Sequence, residues 1–275
     1  MTFLERKPGV ELRPWVRSLW YAQGMDLVYR RERILPTGRA QIILNLARDF
    51  ILDCPPDRPT GRMAPALLVG QRSVHEIVDT SDMQDLIGIV FEPGALPAFL
   101  VDSADRVTNS FVALDEVCRA SGALRDRLRE LPGAEARLAC LEGYLWDKLA
   151  RRSGAAGVGI HPAVQYALER IERAPHVGTV AEVARSTGWS ERRLSQVFRE
   201  QVGLSPKVWC RVQRFQRVVR QLHHGEAVRW PELALECGFY DQSHLANEFR
   251  AFSGIPPTAY AGASSQRWAN HLRAE

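Results

Sequence analysis

Residues 238–250 read GFYDQSHLANEFR, and residues 188–199 read GWSERRLSQVFR. Both open with Gly and an aromatic residue, then place a Leu and a Phe-Arg pair at matching helical spacing. The agreement extends outward. Glu182, Ala184, Gly188 and Trp189 match Glu232, Ala234, Gly238 and Phe239 at an offset of 50. Leu194, Phe198, Arg199, Gly203, Leu204 and Pro206 match Leu245, Phe249, Arg250, Gly254, Ile255 and Pro257 at an offset of 51, with one residue inserted near Tyr240. A repeat that keeps its apolar residues and varies its polar ones is one folding unit used twice.

Each copy has the grammar of a helix-turn-helix. The first helix (TVAEVARST; RWPELALEC) turns Val183 and Ala184, or Leu233 and Ala234, inward. Alanine suits the second of these positions because steeply crossing helices need a small residue at their contact. Gly188 and Gly238 end that helix, where a left-handed backbone costs glycine little. Ser190 and Asp241 follow as N-caps of the second helix, each stabilising it by about 1 kcal/mol. Leu194 with Phe198, and Leu245 with Phe249, face the core at i, i+4.

The outward positions differ between copies. They are Arg192, Ser195, Gln196 and Arg199 in the first, and Gln242, Ser243, His244 and Asn247, with Arg250 further along, in the second. Arginine donates to guanine O6 and N7, and Gln or Asn pairs with adenine N6 and N7, each good pair giving about 1–3 kcal/mol of discrimination. A shared frame with different outward text fits two heads that read different stretches of DNA. Glu191 and Glu248 lie beside these faces and are expected at their margin. Between the copies, SPKVWCRVQRFQRVVRQLHHG predicts one long helix, with Pro206 near its start and Gly225 near its end. Eighteen residues span roughly 27 Å, close to one DNA turn of about 34 Å. Arg211, Arg214, Arg217 and Arg220 give this helix a basic stripe, with Arg211 and Arg214 expected on phosphates.

Residues 161–260 resemble the DNA-binding domain of the AraC/XylS family of bacterial transcription regulators. The most specific part is ECGFYDQSHLANEFRAFSGIPPTAY, with Gly-Phe, Ser-His-Leu, Phe-Arg and a Gly-x-x-Pro-x-x-Tyr ending at Tyr260. SPKVW places Pro206 and Trp209 where the first unit of that family ends. The resemblance implies seven helices, with both second helices entering successive major grooves of double-stranded promoter DNA. It also implies RNA polymerase as a partner.

The rest of the chain is consistent with this reading. Its 275 residues are enough for two domains, and 45% hydrophobic with 25% charged residues is a soluble, globular composition. No run of 18 apolar residues appears, and MTFLERKPGV lacks a signal peptide's apolar core, so a cytoplasmic protein with no membrane partner is expected. Five widely spaced cysteines (Cys54, Cys118, Cys140, Cys210, Cys237) with no C-x-x-C read as reduced thiols, with neither metal nor cofactor. From Ile160 onward, 15 Lys+Arg face 11 Asp+Glu, so the whole +4 surplus lies in that part, while residues 1–159 are neutral. A polyanion suits the basic part.

The expected fold class is α+β: a β-rich N-terminal half with flanking helices, then an all-α half with two helix-turn-helix units. Residues 1–150 form the first domain, RRSGAAGVGI (151–160) a linker, 161–262 the DNA-binding domain, and 263–275 a tail. Up to about residue 92, short apolar runs such as QIILNL and DLIGIVF between turn signals predict strands of a sandwich or barrel. Helical spacing takes over from 93 to 150. Leu124, Leu128, Leu131, Leu138, Leu141, Leu145 and Leu149 make apolar faces that pack within the chain or form a homodimer interface.

By resemblance, the N-terminal half is the cupin-like sensor of a subset of these regulators, carried by Pro36-x-Gly38-Arg39-Ala40-Gln41 before an apolar strand. It would bind a small-molecule effector. Trp15, Trp20, Tyr21, Phe50 and Phe91 could enclose an apolar pocket or simply be core. Trp20, Arg39 and Phe91 are the candidate effector contacts, although an exposed turn arginine is the more ordinary reading of Arg39. A metal-dependent cupin enzyme needs two or three converging histidines, and residues 1–159 contain only His75. A DNA-repair alkyl acceptor needs a clustered reactive cysteine, and Cys54 has no basic neighbour to activate it. No catalytic residue is therefore expected. The alternative is a ligand-independent regulator whose N-terminal half only dimerises.

Overall fold

The Pro- and Gly-punctuated runs of the first half become strands of two sheets in the computed structural model. It describes residues 2–24, 29–53, 60–81, 83–100, 102–153, 159–173, 180–223, 228–262 and 269–274. Cys54, Gly225 and residues 154–158 of the expected linker lie outside the described residues. The strands are β1 (Thr2–Arg6), β2 (Val16–Gln23), β3 (Arg31–Ile34), β4 (Gln41–Asn45), β5 (Ile51–Asp53), β6 (Gly61–Met63), β7 (Ala66–Val69), β8 (Glu76–Asp79), β9 (Asp85–Phe91), β10 (Phe111–Ala113) and β11 (His271–Arg273). One sheet has the order β1-β2-β9-β4-β7-β10, the other β11-β3-β8-β5-β6. The pairings among described residues are antiparallel.

Strand periodicity divides the first sheet cleanly. Leu19 and Tyr21 of β2, Ile42 and Leu44 of β4, Leu68 of β7, and Ile87, Ile89 and Phe91 of β9 face one way into a closed core. Their neighbours Trp20, Ile43, Leu67, Val69, Leu86 and Val90 face the opposite sheet. The closed core is covered by α1 (Leu96–Phe99), α2 (Leu114–Val117), α3 (Ser121–Glu130) and α4 (Gly133–Ser153). Leu124, Leu128, Leu138, Leu141, Leu145 and Leu149 are buried in it, each contributing about 1.5–3 kcal/mol. The apolar faces of α3 and α4 are thus used within the chain. Helix α4 runs to Ser153, three residues into the expected linker.

The second half is helical: α5 (Pro162–Arg173), α6 (Val180–Thr187), α7 (Glu191–Val202), α8 (Pro206–His223), α9 (Trp230–Glu236), α10 (Gln242–Ser253) and α11 (Pro257–Gly262). Helix α8 buries Trp209, Val212, Phe215, Val218, Val219 and Leu222 along one face, and Phe215 packs on Phe249 and Phe252 with ring centroids 5.0 and 5.3 Å apart.

The two halves share more than a linker. Leu35, from the N-terminal half, is buried in the helical core. Gly38 lies against Trp209, and the Gln216 side chain donates to Pro36 O and Asn270 Oδ1. The expected tail returns as β11, pairing with β3 from His271↔Ile34 to Arg273↔Glu32, while Leu272 enters the helical core. The tail is an edge strand of the second sheet, and nothing in its local sequence announces it.

Candidate nucleic-acid interface

The two helix-turn-helix copies coincide hydrogen bond by hydrogen bond. Gly188 and Gly238 have φ of 71° and 83°. Trp189 N donates to Ala184 O, and Phe239 N to Ala234 O, at 3.0 and 2.8 Å. These are the same six-residue closures of a helix end. Ser190 Oγ accepts from Arg193 N at 3.2 Å, and Asp241 Oδ1 from His244 N at 2.7 Å, so both expected N-caps form. Leu194, Phe198, Leu245 and Phe249 are fully buried. Gly203 N and Gly254 N each close on the carbonyl four residues back, at 2.8 Å.

Around this frame, Arg192, Gln196 and Arg199 on α7 and Gln242, Ser243, Asn247 and Arg250 on α10 are exposed, and Ser195 is half-buried. The extra residue between the copies, Tyr240, is 85% exposed at the mouth of the second turn. A large aromatic in a turn is the sequence signal that marks it.

Five of the expected contacts are engaged inside the molecule, Gln196 through its Nε2, which donates to Glu200 Oε1 at 2.9 Å. Arg211 is not on a free basic face: its Nε and Nη2 each donate to the Glu248 carboxylate at 2.7 Å. That fork holds the Glu248 carboxyl below its ordinary range and pushes the Arg211 guanidinium up. Arg214 donates to Gly238 O at 3.3 Å, with its guanidinium 5.4 Å from the Phe239 ring centre. His244 accepts from Tyr240 N through Nδ1 at 3.2 Å and meets Phe239 edge-on. Arg199 lies 3.8 Å from Asp105 of the N-terminal half. Arg217 likewise donates to Glu172 O and Arg173 O. The stripe on α8 is largely a set of internal ties, because its helix is the spine between the heads and faces both. One of them neutralises Glu248.

The second site lies between the sheets, where a cavity of about 490 Å³ opens. Trp20 lines it, made possible by Gly88 directly opposite on β9, where a side chain would collide with the indole. Arg39 also lines it and is not an exposed turn residue. It is largely buried between Glu92 and Glu172, 3.6 and 3.7 Å away. Phe91 does not reach the cavity. It is one residue out of phase with Val90, so it faces the helices and packs on Phe99 at 5.6 Å. Trp15 and Tyr21 lie on the helix side as well. The walls missed by sequence include Phe3, Phe111, Arg72 and the tail residue His271, whose Nδ1 lies 3.1 Å from the buried Glu32 carboxylate. Arg72 pairs with Glu76 at 2.9 Å, yet its Nη1, like Nε of Arg39, is buried without a hydrogen-bond acceptor among the described residues.

A family model described as a helix-turn-helix domain matches residues 183–263, spanning both copies and the spine between them. Residues 183–263 thus form a helix-turn-helix domain of the AraC type. A second model, a domain of unknown function (DUF6597), matches residues 4–113. No curated protein matches the sequence. Among solved structures, ToxT from Vibrio cholerae aligns over 95% of this chain and 98% of its own, at 10% identity and a TM-score of 0.48. The C-terminal domain of AraT, a response regulator from Geobacillus stearothermophilus, aligns over 38% of this chain and 86% of its own, at 21% identity and a TM-score of 0.36. The DNA-binding domain of AdpA, a global transcriptional factor in complex with a target DNA, aligns over 37% and 91%, at 27% identity and a TM-score of 0.34. With that domain at its C-terminus, the chain is a DNA-binding transcription regulator with a β-rich N-terminal half and a helical C-terminal half. No helix among its described residues is long and apolar enough to cross a membrane.

Proposed function

We propose that this regulator is controlled by a small molecule held between its two sheets, acts in the cytoplasm and performs no catalysis. The observation that carries the reading is the 490 Å³ cavity, a size suited to one small ligand. Its walls are mostly aliphatic and aromatic, with the cationic side chains of Arg39 and Arg72 among them, which favours a largely apolar effector with one hydrogen-bond-accepting group. The space left between the sheets argues against a half that serves only to dimerise. An effector acts by binding one arrangement of the two halves better than another.

In this reading, base edges are contacted by Arg192, Ser195 and Gln196 from α7 and by Gln242, Ser243 and Asn247 from α10, with Arg250 on phosphate. Arg199 joins them once its contact with Asp105 is released. Arg211, Arg214 and His244 orient the heads from behind. RNA polymerase and a second protomer complete the proposed partners. The test is selection of duplex sites from a random pool by the full chain. Arg192→Ala and Gln242→Ala should each lose about 1–3 kcal/mol of discrimination, at separate positions about one turn apart. Unchanged specificity in both variants refutes the two-head reading.

A further inference from the structure

The N-terminal half grips the two reading helices at equivalent points. Gly203 and Gly254 occupy the same position of the repeat, and both have positive φ, 91° and 74°. At the first, Thr108 Oγ1 donates to Gly203 O at 2.7 Å, and Ser103 Oγ reaches Glu200 O at 3.4 Å. A Cβ on Gly203 would lie 2.5 Å from Gln71 Oε1. At the second, Arg33 Nη1 donates to Ser253 O, and His75 N to Phe252 O, both at 2.9 Å. A Cβ on Gly254 would lie 2.5 Å from His75 Cε1. The last carbonyls of a helix have no partner within it. Here the N-terminal half supplies partners at both heads.

These two grips are one structure. Asn109, the only non-glycine residue with positive φ (55°) among those described, joins them. Its N–H donates to Gln71 O at 2.9 Å, its Oδ1 accepts from Ser73 N at 2.8 Å, and its Nδ2 donates to Ser73 Oγ at 3.1 Å. The 71–76 stretch also has two faces. Gln71 and His75 meet the helix ends, while Arg72, Val74 and Glu76 line the cavity. The Arg72 guanidinium lies 4.7 Å from the ring centre of Phe111, another cavity wall, just after the 103–110 stretch.

We propose that residues 71–76 and 103–110 form a single clamp that holds both reading helices at their equivalent C-terminal ends and makes its reverse face part of the cavity wall. The clamp itself stands on these contacts alone; its use in control rests on the proposed sensor function of the cavity. A shift of the cavity wall then loosens both heads together, and Arg199, paired with Asp105 beside the first grip, is released with them.

The test is hydrogen–deuterium exchange on the full chain, without DNA or effector, so that it reads the clamp even if the sensor reading fails. Thr108→Val removes a bond at the first head only. The amides around Gly203 should exchange about fivefold faster, as expected for one lost hydrogen bond. Those around Gly254 should also rise, by about twofold or more, through coupling across Asn109. Thr108→Ser, which keeps the hydroxyl, should match the wild type. Arg33→Met should reproduce the pattern in the opposite direction. On the cavity face, the conservative Glu76→Gln should speed exchange at both helix ends. Effects confined to the substituted head overturn the single clamp, and a silent Glu76→Gln overturns its link to the cavity. If the exchange results hold but no small molecule alters DNA binding, the sensor reading fails and the clamp stands.

Discussion

Replacing Gly38 with alanine measures how tightly the two halves of the chain are docked. Two costs arise there, and the molecule provides a way to separate them. Gly38 has φ of 73°, where a side chain costs about 1–2 kcal/mol. An added Cβ would also sit 2.5 Å from Cζ3 and 3.0 Å from Cε3 of Trp209, and 3.3 Å from Cγ1 of Val212. Trp209 is fully buried on the spine helix and cannot swing away. Forcing a methyl group into such packing costs about 1–3 kcal/mol. The total for Gly38→Ala is about 2–5 kcal/mol. Gly188 is the control, because its φ is 71° and a Cβ there meets nothing within 4 Å. Gly188→Ala should therefore show the backbone cost alone, about 1–2 kcal/mol. Urea unfolding of both full-length variants, followed by far-ultraviolet circular dichroism and tryptophan fluorescence, gives the difference. Gly38→Ala should also separate the two probes, because the halves no longer unfold as one. Equal losses within about 0.5 kcal/mol, the usual additivity error, would show that the Gly38–Trp209 contact is loose and refute the docking argument.

Further outcomes follow from the same contacts. A double-mutant cycle of Arg211→Met and Glu248→Gln should give a coupling of about 1 kcal/mol, since the pair is bidentate but the Arg211 side chain is 36% exposed. In fluorescence anisotropy titrations, Arg211→Met should leave the salt slope of DNA binding unchanged, whereas Arg250→Ala lowers it by about one phosphate's worth; a lowered slope in Arg211→Met would restore it to the phosphate contacts. Burial, then the nearby charge of Arg33, depresses the His75 pKa below its ordinary 6.5, despite an opposing bond from the Phe252 backbone. The folded chain thus binds fewer protons than the unfolded one, so stability is level above about pH 6.5 and falls as pH drops below it. Thermal melts across that window should lose this slope in His75→Gln, and a slope that survives would assign it elsewhere. Leu272→Ala should cost about 2–4 kcal/mol although it lies beyond the last helix, a loss that a passive tail would not show.

The parts of this molecule that could be read in advance are those fixed by neighbours in sequence. Gly188 and Gly238, Ser190 and Asp241, and the Leu-Phe pairs each answer a local demand: a left-handed turn, an orphan N–H, an apolar face. The unread parts depend on residues far apart in the chain. The pairing of Arg211 had no local signal because its carboxylate partner is 37 residues away. Phe91 looked like a pocket residue because aromatic content carries no phase; the pairing of Trp20 with Gly88 sets that phase, and places Val90 inside and Phe91 outside. The tail strand had no local signal, since its partner β3 lies some 240 residues upstream.

The glycines that close the two reading helices show how one residue can satisfy both kinds of demand. At Gly203 and Gly254 a positive φ ends the helix, a requirement internal to each repeat. The same missing side chain lets Gln71 at one head and His75 and Arg33 at the other approach the backbone. Gly188 and Gly238 have the same conformation, yet Gly188 faces open space. Conformation alone therefore does not distinguish a cap from a docking point; what packs on it does. The repeat presents the N-terminal half with two copies of one surface, and a single pair of loops can hold both because the helix ends are built alike. Outward residues such as Arg192 and Gln242 are under no such requirement, which leaves them free to differ.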